Sequence, residues 1–154
     1  MTYKIERAQS ADLPRLVDLL NELFGVELDF TADATRQARG LELLLAESAK
    51  GDRQAVAVAR DDNGQAIGMA SAQLVISTAE GAPSAWIEDV VVHADYRRQG
   101  VGRQMLDYLL AWAKTRGATR AQLVADRENA SAELFYDGLG WQTTQLSVRR
   151  RAIE

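Results

Sequence analysis

The spacing of apolar residues changes period several times along this chain. Tyr3–Arg7 alternates and reads as a first strand. Leu13, Leu16, Val17, Leu20 and Leu23 then recur at helical spacing. Ser10 stands where a helix cap is wanted, Pro14 falls in the tolerated first turn, and Gly25 ends the helix. Glu27–Thr31 reads as a short loop carrying Phe30. A second helix is expected from Asp33 to Ser48, with Leu41, Leu44 and Leu45 on one face.

Strands follow. Gln54–Arg60 is rich in Val and Ala, Asp61-Asp62-Asn63-Gly64 is a hairpin turn signal, and Ala66–Thr78 reads as the return strand. Gly81-Ala82-Pro83-Ser84 is expected to break the chain before a strand at Ala85–His93, whose Val90-Val91-Val92 run suits the middle of a sheet. From Val101 to Arg116 the period is helical again, with Val101, Met105, Leu109 and Trp112 in one stripe and Gly117 as the stop. Ala121–Ala125 reads as a strand, Ala130–Asp137 as a short helix and Trp141–Arg149 as a last strand. The order implies a single α/β (α+β) domain over residues 1–154, with a mixed sheet of about six to seven strands and about four helices.

Composition narrows the chemistry. The 154 residues contain no cysteine and one histidine, His93, which excludes a disulfide framework, a thiolate zinc site, a Cys nucleophile and a two-His metal motif. A net charge of -4 makes a poor general nucleic-acid binder. No stretch approaches a membrane span, and no apolar signal core follows the N-terminus, so a cytoplasmic protein is expected. Of the 18 basic residues, 15 are Arg. Arg97, Arg98 and Arg103 crowd around two glycines, which suggests an anionic small ligand, whereas Arg149, Arg150 and Arg151 read as a solubilising tail.

The segment that carries chemistry runs from Trp86 through Glu88-Asp89-Val90-Val91-Val92-His93 to Arg97-Arg98-Gln99-Gly100-Val101-Gly102-Arg103. A hydrophobic strand enters a polar loop, and a helix starts at the glycines. Gly100 and Gly102 let backbone N–H groups approach an anion, the helix N-terminus adds its dipole, and the arginines add charge-assisted hydrogen bonds. A dinucleotide fingerprint would need a third glycine where Met105 stands, and a P-loop would need Gly-Lys-Ser/Thr, which is absent.

Downstream lies Asn129-x-x-Ala132-x-x-Phe135-Tyr136-x-x-x-Gly140-Trp141. Together with Arg97-x-x-Gly100-x-Gly102, this pair of motifs resembles the GNAT superfamily of N-acetyltransferases, and the predicted element order over the whole chain is similar to that family's. The sequence departs from the common pattern at Ala94, where proline is frequent, at Trp141, where phenylalanine is usual, and at Val124, where some members carry an acidic residue. The Glu88–Val92 strand and the long first helical region loosely resemble small-amine and aminophosphonate acetyltransferases.

The resemblance implies acetyl-CoA as cosubstrate and no metal. It implies a cosubstrate site made of Arg97, Arg98, Gln99, Gly100, Val101, Gly102 and Arg103, the backbone of Val90, Val91 and Val92, and Asn129, Ala132 and Tyr136. Acetyl transfer from a thioester to an amine needs the amine deprotonated, the oxyanion held and the leaving thiolate protonated. Tyr136 is the candidate acid, since a phenol with pKa near 10 can donate to a thiolate. Glu88 is the candidate base or amine anchor. Glu88 and Asp89 point to opposite faces of a regular strand, Glu88 with Val90 and Val92, and a bulge would exchange them. Phe30, Trp86, Glu88 and Asp89 are the candidate acceptor residues. The expected acceptor is a small-molecule primary amine, with no nucleic acid or membrane as partner and with the dimerisation frequent in the family. A protein or peptide N-acetyltransferase and a silent acetyl-CoA-binding module are the alternatives.

Overall fold

Five strands pair side by side in chain order in a computed structural model that describes residues 2–26 and 31–154. Residues Glu27 to Phe30, the expected loop with the candidate Phe30, lie outside the described residues. The strands are β1 (Lys4–Arg7), β2 (Gln54–Arg60), β3 (Ala66–Ser77), β4 (Ala82–Val92) and β5 (Arg120–Leu123). The helices are α1 (Leu13–Val26), α2 (Ala34–Lys50), α3 (Val101–Thr115) and α4 (Ala130–Gly138). β1 to β4 pair antiparallel, and β5 joins β4 in parallel through the α3 crossover. The sheet is mixed, as expected, and has five strands rather than six or seven.

The chain forms two compact units, Met1–Leu123 and Val124–Glu154. All five strands belong to the first, whose sheet is covered on both faces. On one face Leu16, Leu19 and Leu20 of α1 and Leu41 and Leu45 of α2 pack with Val56, Val58, Met69 and Val91. Each such buried leucine contributes about 1.5–3 kcal/mol through area removed from water. On the other face α3 lies over the sheet. A Cβ on Gly68 would come within 3.1 Å of the Met105 side chain and of the Val91 carbonyl, so a side chain here would have to displace them by a few tenths of an ångström.

Local chemistry explains the element ends. Asp33 caps α2 by accepting from the Arg36 N–H at 3.1 Å, and Gly51 (φ 77°) closes it in the left-handed region. Ser10 does not cap the first helix. It opens a one-turn 3₁₀ segment, Ser10–Asp12, and the Asp12 carboxylate takes the Gln9 N–H at 2.7 Å. Nor does Gly25 stop α1, which runs on to Val26. The break expected at Gly81–Ser84 is narrower than read: the turn ends at Gly81 (φ 66°), and Ala82, Pro83 and Ser84 pair with Ser77, Ile76 and Val75. Pro83 sits near the start of β4, where a missing N–H is tolerated.

The second unit contains α4 and no strand. Asn129 caps α4, its side chain accepting from the Ala132 N–H at 3.1 Å. The strand expected at Trp141–Arg149 does not form. Its period-two pattern offers only Leu146 and Val148 after Trp141, both exposed, and its own unit has no strand edge to complete a ladder.

Candidate functional site

β4 departs from regularity where the chemistry was expected. Ser71 pairs with Glu88 and Met69 with Val91, so Asp89 and Val90 together face the single residue Ala70. This is a β-bulge, and Asp89 occupies it with φ 56°, a left-handed conformation that Asp tolerates better than most side chains. The Ser71 hydroxyl, almost fully buried, donates to the Glu88 carbonyl at 3.1 Å and anchors the strand just before the bulge.

The bulge corrects the facing expected of a regular strand. Ser71 and Met69 lie two residues apart on β3 and share a face, so their partners Glu88 and Val91 share it too. Val92 pairs with Gly68 on the α3 face. Glu88 therefore sides with Val91 and the α1–α2 face instead of with Val90 and Val92. Trp86, paired with Gln73, lies on the same face, and its indole Nε1 donates to Glu88 Oε1 at 2.6 Å. Glu88 is exposed and Trp86 half-buried.

The pairing of β4 with β5 ends at Ile87↔Leu123. Asp89 to Val92 thus run on beyond the last β5 partner, with β3 on one side only. A bulge beside the end of a parallel ladder leaves backbone N–H and C=O groups of an interior strand open to a ligand.

The loop after β4 is held by its own side chains. His93 Nδ1 accepts from the Asp95 N–H at 3.2 Å, which starts a 3₁₀ turn at Ala94–Tyr96. Arg97 Nε donates to the Val92 carbonyl at 3.0 Å, so Arg97 ties the loop back to the strand end. Tyr3 donates its hydroxyl to the Gln99 carbonyl at 2.9 Å, fixing the loop from the opposite side of the sequence. Arg98 (φ 61°) and Gly100 (φ 81°) are both left-handed, which turns the chain sharply into α3. Gly100 is the N-cap, and no side chain caps it. The first-turn N–H groups at Val101, Gly102 and Arg103 thus meet the loop at the positive end of the α3 dipole. Arg98 and Arg103 are exposed beside them, Arg103 Nε standing 3.8 Å from Asp107. An uncapped helix start behind two left-handed residues, flanked by guanidinium groups, fits a pyrophosphate.

In the second unit, Tyr136 stacks edge-on with Phe135 (ring centroids 5.0 Å apart) and with Trp141 (6.1 Å). The motif residues Asn129 and Ala132 are one hydrogen bond apart at the start of the same helix. The structure thus gathers Trp86, Glu88, Asp89, Val90, Val91, Val92 and the Arg97–Arg103 loop in the first unit, and Asn129, Ala132 and Tyr136 in the second.

Three contributors were missed from the sequence. Ser71 anchors the bulge, Tyr3 holds the loop, and Glu22 of α1 lies 3.8 Å from His93 Nε2. None carries a motif. Only the position of Glu22 on the polar side of an amphipathic helix hinted that it faces outward from the α1 core stripe.

Known proteins are similar to this chain in sequence and in fold. An aminoglycoside N(6')-acetyltransferase type 1 of Acinetobacter genomosp. 13 is 29% identical over 94 residues, which are 59% of this chain and 64% of that one. The [ribosomal protein bS18]-alanine N-acetyltransferase of Escherichia coli (strain K12) is 31% identical over 88 residues, 57% of this chain and 54% of that one. This chain therefore matches less than two thirds of the length of either relative. The solved structure of AAC(6')-Iy with the bisubstrate analogue CoA-S-monomethyl-acetylneamine superposes with a TM-score of 0.77 at 21% identity, covering 99% of each chain, and shows the same fold. Residues 13–141 match the model of the acetyltransferase (GNAT) family, and the chain belongs to that family.

Proposed function

We propose that this chain is an N-acetyltransferase that uses acetyl-CoA to acetylate a primary amine of a small molecule. The observation that carries the reading is the Asp89–Val90 bulge at the end of the β4–β5 ladder, one short loop away from the uncapped start of α3. Acetyl-CoA supplies the activated acetyl group as a thioester. The first-turn N–H groups of α3, with Arg98 and Arg103, bind its pyrophosphate. Backbone N–H groups of Val90 to Val92 suit an oxygen that gains negative charge as the amine attacks. Glu88 binds the incoming ammonium and takes its proton, directly or through water, and Tyr136 returns a proton to the departing thiolate. The new bond is N–C and the broken one C–S; nitrogen gives up two protons, one before attack and one after it, of which one is balanced by the proton that reaches sulfur and the other passes to solvent.

Purified protein with acetyl-CoA and a panel of aliphatic amines should release free thiol in proportion to amine acetylated. Tight acetyl-CoA binding with no thiol release from any amine or peptide would reduce the protein to a binding module. The likeness to the ribosomal-protein alanine acetyltransferase supports a second reading, in which the amine is a protein N-terminus. Turnover of peptides with a free N-terminal alanine, but of no small amine, would favour it.

A further inference from the structure

We propose that Trp86 is a positioning residue for Glu88, and that the two form the subsite that takes up the acceptor as an alkylammonium ion. This rests on the acetyltransferase reading. The indole N–H holds one carboxylate oxygen at 2.6 Å, from two residues away on the same face of β4. A single rotamer of Glu88 is thereby selected, and its second oxygen is presented in a fixed direction. On a regular strand Glu88 would side with Val90 and Val92. The bulge instead sets it on the face of Val91, and the Ser71 hydroxyl pins the backbone beneath it.

Stability alone does not account for the bond. Both partners are reached by water, and a hydrogen bond there exchanges for solvent at little cost. Among the described residues Glu88 makes no ion pair with Lys or Arg, so its charge is not neutralised within the fold. An unneutralised, oriented carboxylate beside the rim of an indole suits one chemistry above others, a protonated aliphatic amine. The carboxylate supplies the charge, and the half-buried ring supplies an apolar and cation-attracting wall for the adjoining methylenes. An arylamine, uncharged at neutral pH, offers the carboxylate no cation to bind. Elsewhere on this face His93 and Glu22 stand 3.8 Å apart, and Arg60 pairs with Asp12 and Glu6.

The test compares n-butylamine with an arylamine in the thiol-release assay, using W86F, E88Q and the double variant. Phenylalanine keeps the ring and removes only the N–H. W86F should lower kcat/KM for butylamine about ten-fold, as expected for loss of one charge-assisted hydrogen bond, and leave the arylamine within about two-fold. Acetyl-CoA affinity and the thermal midpoint should stay at wild-type values, and W86F should add nothing on top of E88Q. If W86F leaves butylamine at the wild-type rate or lowers both amines equally, or if it adds its full effect on top of E88Q, the positioning role is wrong while the acetyltransferase reading stands. If wild-type protein releases no thiol with any amine, the reading falls and this subsite with it.

Discussion

Ser71 and Glu88 are register partners across β3 and β4, and they are also joined by a hydrogen bond from the Ser71 hydroxyl to the Glu88 carbonyl at 3.1 Å. This double link marks the last regular pair before the bulge. Everything C-terminal to it on β4 is displaced by one residue, which is why Glu88 and Val91 share a face.

The bulge places a conformational demand on Asp89, whose φ is 56°. Asp89→Val should be less stable than Asp89→Gly by about 1–2 kcal/mol, because both delete the carboxylate but a β-branched residue is disfavoured in the left-handed region. Urea midpoints of the two variants check this. Equal midpoints for Asp89→Val and Asp89→Gly would show that the strand does not hold residue 89 in that conformation.

At the α3 N-terminus the demand falls on Gly100, with φ 81°. Gly100→Val strains the cap and reshapes the loop that carries the anion-binding N–H groups, so acetyl-CoA affinity should fall by at least about ten-fold. Arg149→Ala, in the exposed C-terminal segment, should bind as wild type does. Calorimetry giving the same affinity for Gly100→Val and wild type would remove the pyrophosphate from this loop.

Tyr136 has a packing role already visible in its edge-on contacts with Phe135 and Trp141. Tyr136→Phe keeps those rings in place and deletes only the hydroxyl. It should lower kcat by about 10²-fold with little change in acetyl-CoA affinity, in the range of general acid catalysis. An unchanged kcat would leave Tyr136 as an aromatic clamp on α4 and assign the proton to water.

Away from the site, Arg60 is buried and binds Asp12 through both Nη atoms, at 2.6 and 2.7 Å, while its Nε donates to Glu6. The guanidinium holds the Asp12 carboxyl below its usual range and lowers Glu6 likewise. A carboxylate depressed in the folded state stabilises fully above its unfolded pKa, near 4, and loses that contribution as pH falls through the folded value. Asp12→Asn should therefore be less stable than wild type by about 2 kcal/mol at pH 7, with the gap closing below about pH 4. A gap that stays constant from pH 7 to pH 3 would show that the ion pair carries no linked proton.

Much of this was legible along the chain because it is local. The stripe of Val101, Met105, Leu109 and Trp112 is buried as a 3.6-residue period requires, and the Asp61–Gly64 turn joins β2 and β3 as its composition predicts. The start of α3 at the Gly100-Val101-Gly102 step is likewise local, read from the glycines and the change of period that follows them. Tertiary structure alone decided the facing of Glu88. A bulge exists only relative to the partner strand, and Ala70, opposite Asp89 and Val90, lies in a segment read separately as a return strand. The same holds for Tyr3 reaching Gln99 and for Trp141–Arg149, whose alternation looks like a strand but finds no ladder. Helical and turn signals are written in residues adjacent in sequence. Strand pairing, register and the direction of a side chain on a bulged strand depend on residues tens of positions away, where the sequence holds no local record of them.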